Sequence, residues 1–189
     1  MPVSVIESSI FKDMFGTAAM RAVFDDAATL RRYAETEVAL ARVQAGLGII
    51  PQAAADAIAA RVDAARLDLD VLKAETEIVG YPILPLVRQL AHMCGPEGEY
   101  LHWGATTQDI MDTATVLQVR DARALVEADL AELDSILDAL AQRYRDTPMA
   151  GRTHLQHALP ITFGYKAAVW LLMVRRHRER LEQLRPRVL

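Results

Sequence analysis

A single cysteine, Cys94, stands in 189 residues, so the chain can form no internal disulfide, and at this length it needs none to hold a core. Nine glycines and eight prolines are too few for a collagenous or low-complexity chain. Aromatic residues are scarce as well, 6% of the chain, while 52% of it is hydrophobic. The apolar mass therefore lies in Ala, Leu and Val, which favours helices over sheets and excludes wholesale disorder. Long hydrophobic runs are missing: Ala167 to Val174 is bounded by Lys166 and by Arg175 and Arg176. It falls well short of the roughly 18 apolar residues that mark a membrane span. The opening MPVSVIESSIFKDMFG has neither the basic flank nor the apolar centre of a secretory signal. No membrane partner is expected, and the cytoplasm is the expected compartment. Positive charge is not in excess either. With 21 basic against 25 acidic residues the net charge is -4, which offers nucleic acid no broad attraction.

What is present is helical punctuation. Leu30, Tyr33, Ala34, Val38, Ala41 and Ala45 recur at helical spacing, with Asp25 or Asp26 placed to cap the start and Gly46 and Gly48 to end the helix. Pro51 suits the first turn of a second helix reaching about Ala65, and Asp68 or Asp70 can cap a third. Tyr81-Pro82 and Leu84-Pro85 break that third helix, Leu86 to Cys94 forms another, and Gly95-Pro96 stops it.

After a loop at Glu97 to Thr106, residues Thr107 to Arg145 contain neither proline nor glycine. At 1.5 Å per residue that is a helix of roughly 55 to 60 Å. Its small apolar residues, among them Ala114, Ala124, Ala128 and Ala131, permit close helix approach and imply a bundle. Asp146-Thr147-Pro148 ends it, Met149 to Leu159 reads as a second loop, and Pro160 opens a last helix to about Leu184. The fold class is all-α: residues 1–100 form a small N-terminal helical domain, and residues 101–189 the first long helices of a central bundle. Two long helices make an incomplete bundle. A mean hydropathy of +0.10 agrees with apolar surface that further copies of the chain would cover.

Two polar segments stand out against this background. In His102-Trp103-Gly104-Ala105-Thr106-Thr107-Gln108, a loop enters a helix N-terminus, where free N–H groups and the helix dipole meet hydroxyls and an amide. Such donors suit a carboxylate or phosphate; they also suit simple capping by Thr106 or Thr107, with Asp109 and Asp112 in the first turn. In Arg152-Thr153-His154-Leu155-Gln156-His157 an imidazole, a hydroxyl, a guanidinium and an amide lie close together, a set able to move a proton beside an anion or merely to tie down a loop. His154 and His157 lack nearby acidic or cysteine partners, so no metal site is expected. Cys94 reads as a buried structural thiol, the arginines between Arg175 and Arg187 as a solvated face interleaved with Glu179 and Glu182, and Asp134 and Asp138 as solvated helix charges.

Together the two segments, HWGATTQDIMDT at 102–113 and GRTHLQHALPITFG at 151–164, resemble two of the three signature regions of the fumarase/aspartase superfamily. The similarity is greatest to its 3-carboxy-cis,cis-muconate cycloisomerase branch. IFKDMFGTAAMRAVFDD at 10–26 and EVALARVQAGLGIIP at 37–51 resemble that branch too, so the likeness covers nearly the whole chain. The resemblance implies a homotetramer with a shared helical core, active sites built at corners where different subunits meet, and no metal or organic cofactor. It implies that Thr106, Thr107 and Gln108 hold a substrate carboxylate and that His102 contacts the substrate. It further implies that Arg152 and Gln156 bind substrate and that Thr153 and His154 form the catalytic pair. The expected chemistry is addition or elimination across a carbon–carbon bond beside a carboxylate.

The third signature, a loop of the type G-S-S-x-M-P-x-K-x-N-P carrying a serine base, does not occur in these residues, and this chain alone is expected to be inactive. The Glu75 to Tyr81 region has no histidine, and no Arg-Tyr pair stands near the start, which disfavours a purine nucleotide substrate. The leading expectation is lactonisation of 3-carboxy-cis,cis-muconate in protocatechuate breakdown. The alternatives are an adenylosuccinate lyase-like elimination of an amine or other group from a succinyl-type substrate, and a non-catalytic oligomerising scaffold.

Overall fold

The computed structural model describes residues 4–189 and is all-α apart from one two-stranded hairpin. The chain divides into two compact units, the first ending at Asp121 and the second covering Ala122–Leu189.

The first unit holds α1 (Ala18–Val23), α2 (Asp26–Gly46), α3 (Gln52–Arg61), α4 (Leu69–Val79), α5 (Ile83–Cys94) and the beginning of α6 (Thr107–Arg143). Local chemistry sets the ends. Asp25 caps α2 by accepting from the Ala28 N–H at 2.7 Å, and Asp68 caps α4 by accepting from the Asp70 and Val71 N–H groups, both at 3.0 Å. Gly80, at φ 90°, ends α4 in the left-handed conformation that glycine adopts without penalty. Two boundaries differ from the sequence expectation. The second helix stops at Arg61, and Ala64–Arg66 forms a separate 3-10 turn. Helix α5 begins at Ile83, before Pro85, because a proline in the first turn lacks an N–H that has no helical acceptor anyway.

Ile58, Leu86 and Leu90 are fully buried at the centre of this unit, with Tyr33, Ala41, Ile83 and Cys94 around them. Burying each large aliphatic side chain contributes about 1.5–3 kcal/mol. Cys94 is inaccessible, and burial pushes its thiol up from its ordinary range, in keeping with a structural role. Ile110 and Ala114, in the first turns of α6, join the same core, so the loop from Leu101 to Thr106 is held at both ends. Ahead of it, a 3-10 turn at Gly95–Tyr100 lies against α5. A Cβ on Gly98 would stand 2.2 Å from the Ala91 carbonyl oxygen, so only glycine permits this approach.

In the second unit α6 continues to Arg143, followed by β1 (Pro148–Thr153), β2 (Gln156–Thr162) and α7 (Phe163–Val188). The segment expected as a loop at Met149 to Leu159 is therefore an antiparallel hairpin. Pro148 pairs with Thr162, Met149 with Ile161 and Thr153 with Gln156, with an irregularity between Ala150 and Arg152. Nearly every residue of β2 is exposed, so no alternation of apolar and polar positions marks it as a strand. Pro160 is tolerated because each strand of a two-stranded sheet is an edge. It lies within β2, and α7 begins after it, capped by the Thr162 hydroxyl, which accepts from the Tyr165 N–H at 3.1 Å.

Leu137, Leu171 and Val174 bury the contact between α6 and α7. A Cβ on Gly164 would lie 2.6 Å from both the Ala141 oxygen and the Arg145 Cα, which fixes the closeness of the two backbones there. Asp134 is not the solvated charge expected from the sequence. It is 9% exposed and takes Arg178 Nη1 at 3.0 Å and Arg175 Nε at 3.2 Å, while Arg175 also reaches Asp138 at 3.1 Å. The hydrogen bond from Arg175, with Arg178 adding to it, holds the Asp134 carboxyl below its ordinary range. Part of the arginine face is thus committed to ion pairs between α6 and α7. No described helix is long and apolar enough to cross a membrane.

Candidate functional site

In the first unit, the chain leaving the 3-10 turn places His102 at φ 59°, a left-handed conformation costing a residue with a Cβ about 1 kcal/mol. Two side chains of α2 face this turn. Glu37 Oε1 lies 2.6 Å from His102 Nδ1, and Gln44 Nε2 donates to the Trp103 carbonyl at 2.7 Å. Glu37 and Gln44 are seven residues apart, two helical turns, and so share one face of α2. Glu37 is wholly buried, and its Oε2 has no partner among the described residues. Burial raises its carboxyl above the ordinary range, and the His102 hydrogen bond pulls the other way.

Past Gly104, Thr106 takes the cap position of α6. Its backbone N–H donates to Asp109 Oδ2 at 2.9 Å, while the Asp109 N–H donates to the Thr106 carbonyl at 3.1 Å. The carboxylate three residues into the helix thus secures the cap backbone, which is one half of a capping box. The hydrogen bonds described here use the Thr106 backbone and not its hydroxyl. Thr106 and Gln108 are exposed and Thr107 is half-buried; the Gln108 amide donates to Asp112. The structure therefore brings His102, Thr106, Thr107 and Gln108 onto one corner of the first unit.

Arg152, Thr153, His154 and Gln156 occupy the hairpin tip of the second unit, all exposed. Thr153 and Gln156 are paired across the strands, and Arg152 faces His157. His154 and Leu155 make the turn, with Leu155 at φ 57°. The hairpin base is tied by the Phe163 N–H to the Thr147 carbonyl and the Gly164 N–H to the Tyr144 carbonyl, each at 2.9 Å. The tip thus presents an imidazole, a hydroxyl and a guanidinium to solvent from a short, anchored support. No cluster of three or more metal-ligating side chains occurs among the described residues.

The site reading from sequence overlooked Glu37 and Gln44. A signal was there: Glu37 falls three residues after Ala34 and four before Ala41, an acid within the apolar stripe of α2. An acid at such a position is rarely buried without a specific partner.

Comparison with known proteins follows the same lines. Residues 13–189 match the family described as lyase. Trans-aconitate decarboxylase 1 of Mycosarcoma maydis is 48% identical over 177 residues, covering 93% of this chain and 36% of that protein. Among solved structures, a fumarate lyase from Mesorhizobium sp. BNC1 is 60% identical with a TM-score of 0.85, covering 90% of this chain and 40% of that one. The 3-carboxy-cis,cis-muconate lactonizing enzyme of Pseudomonas putida is 43% identical with a TM-score of 0.91, covering 96% of this chain and 42% of that one. The chain thus spans less than half the length of the proteins it matches.

Proposed function

The chain belongs to the lyase family, within the fumarase/aspartase superfamily, and from that premise we propose that it supplies two polar corners of an enzyme acting on a small polycarboxylate. The observation that carries this reading is the start of α6. There Thr106, Thr107 and Gln108 stand at a helix N-terminus where Asp109 holds the Thr106 N–H, with Thr106 and Gln108 exposed and Thr107 half-buried. In this reading these three residues hold a substrate carboxylate and His102 contacts the substrate. One well-aimed donor to charge that develops in the transition state is worth about 3 kcal/mol.

The particular reaction proposed is lactonisation of 3-carboxy-cis,cis-muconate. A carboxylate oxygen forms a C–O bond to one alkene carbon, and the π electrons pass to the neighbouring carbon beside another carboxylate. That charge is held as an aci-carboxylate until a proton arrives, and no atom is lost. His154, supported by Thr153, is the proposed proton-transfer group, with Arg152 and Gln156 binding substrate; an imidazole can both accept and donate a proton and so can serve either direction. The active assembly is proposed as a homotetramer in which corners from different copies complete each site. Apolar side chains left exposed on the second unit, among them Val169, Trp170 and Met173, support such association.

A second reading, elimination from a succinyl-type substrate to give a fumarate-type product, is favoured by the 60% identity to a fumarate lyase. A panel of 3-carboxy-cis,cis-muconate, adenylosuccinate and argininosuccinate, assayed on the full-length enzyme, decides between the two. The first reading expects turnover of the muconate alone, and loss of that turnover by at least two orders of magnitude in His154→Ala, the range general acid–base catalysis supplies, about 10²–10⁴-fold. Normal turnover in His154→Ala overturns the role of His154, and turnover of a succinyl substrate alone establishes the second reading.

A further inference from the structure

We propose that Glu37 is the positioning residue for His102, holding its neutral imidazole as the Nδ1–H tautomer and leaving Nε2 as a hydrogen-bond acceptor at the corner before α6. The inference rests on the proposed role of His102 at the carboxylate-binding corner.

Three observations carry it. First, the geometry is that of a hydrogen bond, with Nδ1 and Oε1 2.6 Å apart and 65 residues apart in sequence. Second, the two partners are unequally placed. The Glu37 side chain is fully buried, whereas that of His102 is 20% exposed, so the buried group anchors and the accessible ring is anchored. Third, Glu37 has no other hydrogen-bond partner described: Oε2 is unpaired, and His102 is its one donor among the described residues. A buried carboxylate whose described hydrogen bonds come from one residue is strongly biased to keep that residue in place, because an unpaired buried charge is costly.

The tautomer follows from the donor rules. A carboxylate can only accept, so a neutral ring that satisfies it carries its proton on Nδ1, and Nε2 is then bare. The same device orients histidines that bind metals or catalyse reactions elsewhere: the bond made by one ring nitrogen decides what the other can do. Gln44 supports the arrangement from the same face of α2, because its bond to the Trp103 carbonyl steadies the turn that directs His102 at φ 59°. A protonated Glu37 donating to Nδ1 would give the opposite result, an Nε2–H ring unable to accept at that atom.

The test is a ¹⁵N–¹H correlation spectrum of the imidazoles of the labelled chain at a pH where the rings are neutral, with His102→Gln identifying the signal. The expected result is an Nδ1–H pattern for His102 in the wild type. Glu37→Leu, verified as folded by circular dichroism, is expected to lose that pattern in favour of Nε2–H. Should Glu37→Leu not fold, Glu37→Met serves, since its unbranched side chain matches glutamate in length and its thioether accepts hydrogen bonds only weakly. An Nε2–H ring in the wild type overturns the proposal, as does an unchanged Nδ1–H pattern in a folded variant. Because the spectrum is read without substrate, its failure is distinct from failure of the substrate panel.

Discussion

The side-chain amide of Gln44 donates to the carbonyl of Trp103 at 2.7 Å, joining the third-last residue of α2 to the loop that leads into α6. With Glu37 one face of α2 thereby holds both a side chain and a main-chain group of the same short turn. The corner that presents Thr106 and Thr107 is thus braced by a helix distant in sequence as well as by its own Asp109.

Removing that brace has a measurable cost. Gln44→Ala is expected to lower the unfolding free energy by about 1 kcal/mol, the usual net worth of one such hydrogen bond. Urea denaturation should show a lower midpoint with an unchanged slope. An unchanged midpoint would mean that the bond contributes nothing to the fold.

Glu37 predicts a pH dependence of definite sign. Its folded-state carboxyl is raised above the unfolded value, chiefly by burial, so the folded form binds the proton more tightly. The stability this provides is complete below the ordinary glutamate range and is lost as pH climbs through the raised folded value. Wild type should therefore weaken relative to Glu37→Gln across that window, as read by thermal melts of both proteins. A constant difference between them would contradict the assignment.

Asp134 predicts the reverse. Its carboxyl is lowered, first by the Arg175 hydrogen bond and then by Arg178, so its contribution is present above the ordinary aspartate range and disappears as pH falls through the lowered folded value. The advantage of wild type over Asp134→Asn should shrink on acidification and also with added salt, since the arginines are half-exposed. Melts at several pH values and two ionic strengths measure both effects.

Gly164→Ala should destabilise the second unit by about 1–3 kcal/mol, because the added methyl meets backbone atoms that cannot step aside as a side-chain tip can. The Gly98→Ala substitution offers the matching test in the first unit, against the Ala91 carbonyl. A crystal structure or melt showing either methyl accommodated without loss would refute the closeness of these crossings.

The legible parts of the chain were those with local causes. Asp25, Asp68 and Gly80 announce helix ends because a capping carboxylate or a left-handed glycine acts on groups two to four residues away. Ile110 and Ala114 show the apolar period that continues into a helix 37 residues long. The two polar segments were visible as groups of donors and an imidazole, and the family likeness gave them roles. The hairpin was not legible, since its second strand is almost entirely exposed and carries no period-two pattern. Nor was the pairing of Asp134 with Arg175 and Arg178, because nothing in charge spacing along one helix tells which charges a second helix will meet.

By itself the sequence determined where most helices begin and end, which faces are apolar, and which short segments concentrate polar chemistry. Each of these depends on interactions within a turn or two of one residue. Only the tertiary structure decided that Glu37 would be the buried partner of His102 and that Gln44 would reach the Trp103 carbonyl. Those outcomes follow from packing. The free energy of a buried polar group is set by whichever donor the folded chain delivers to it, and the address of that donor is not written near the group in sequence.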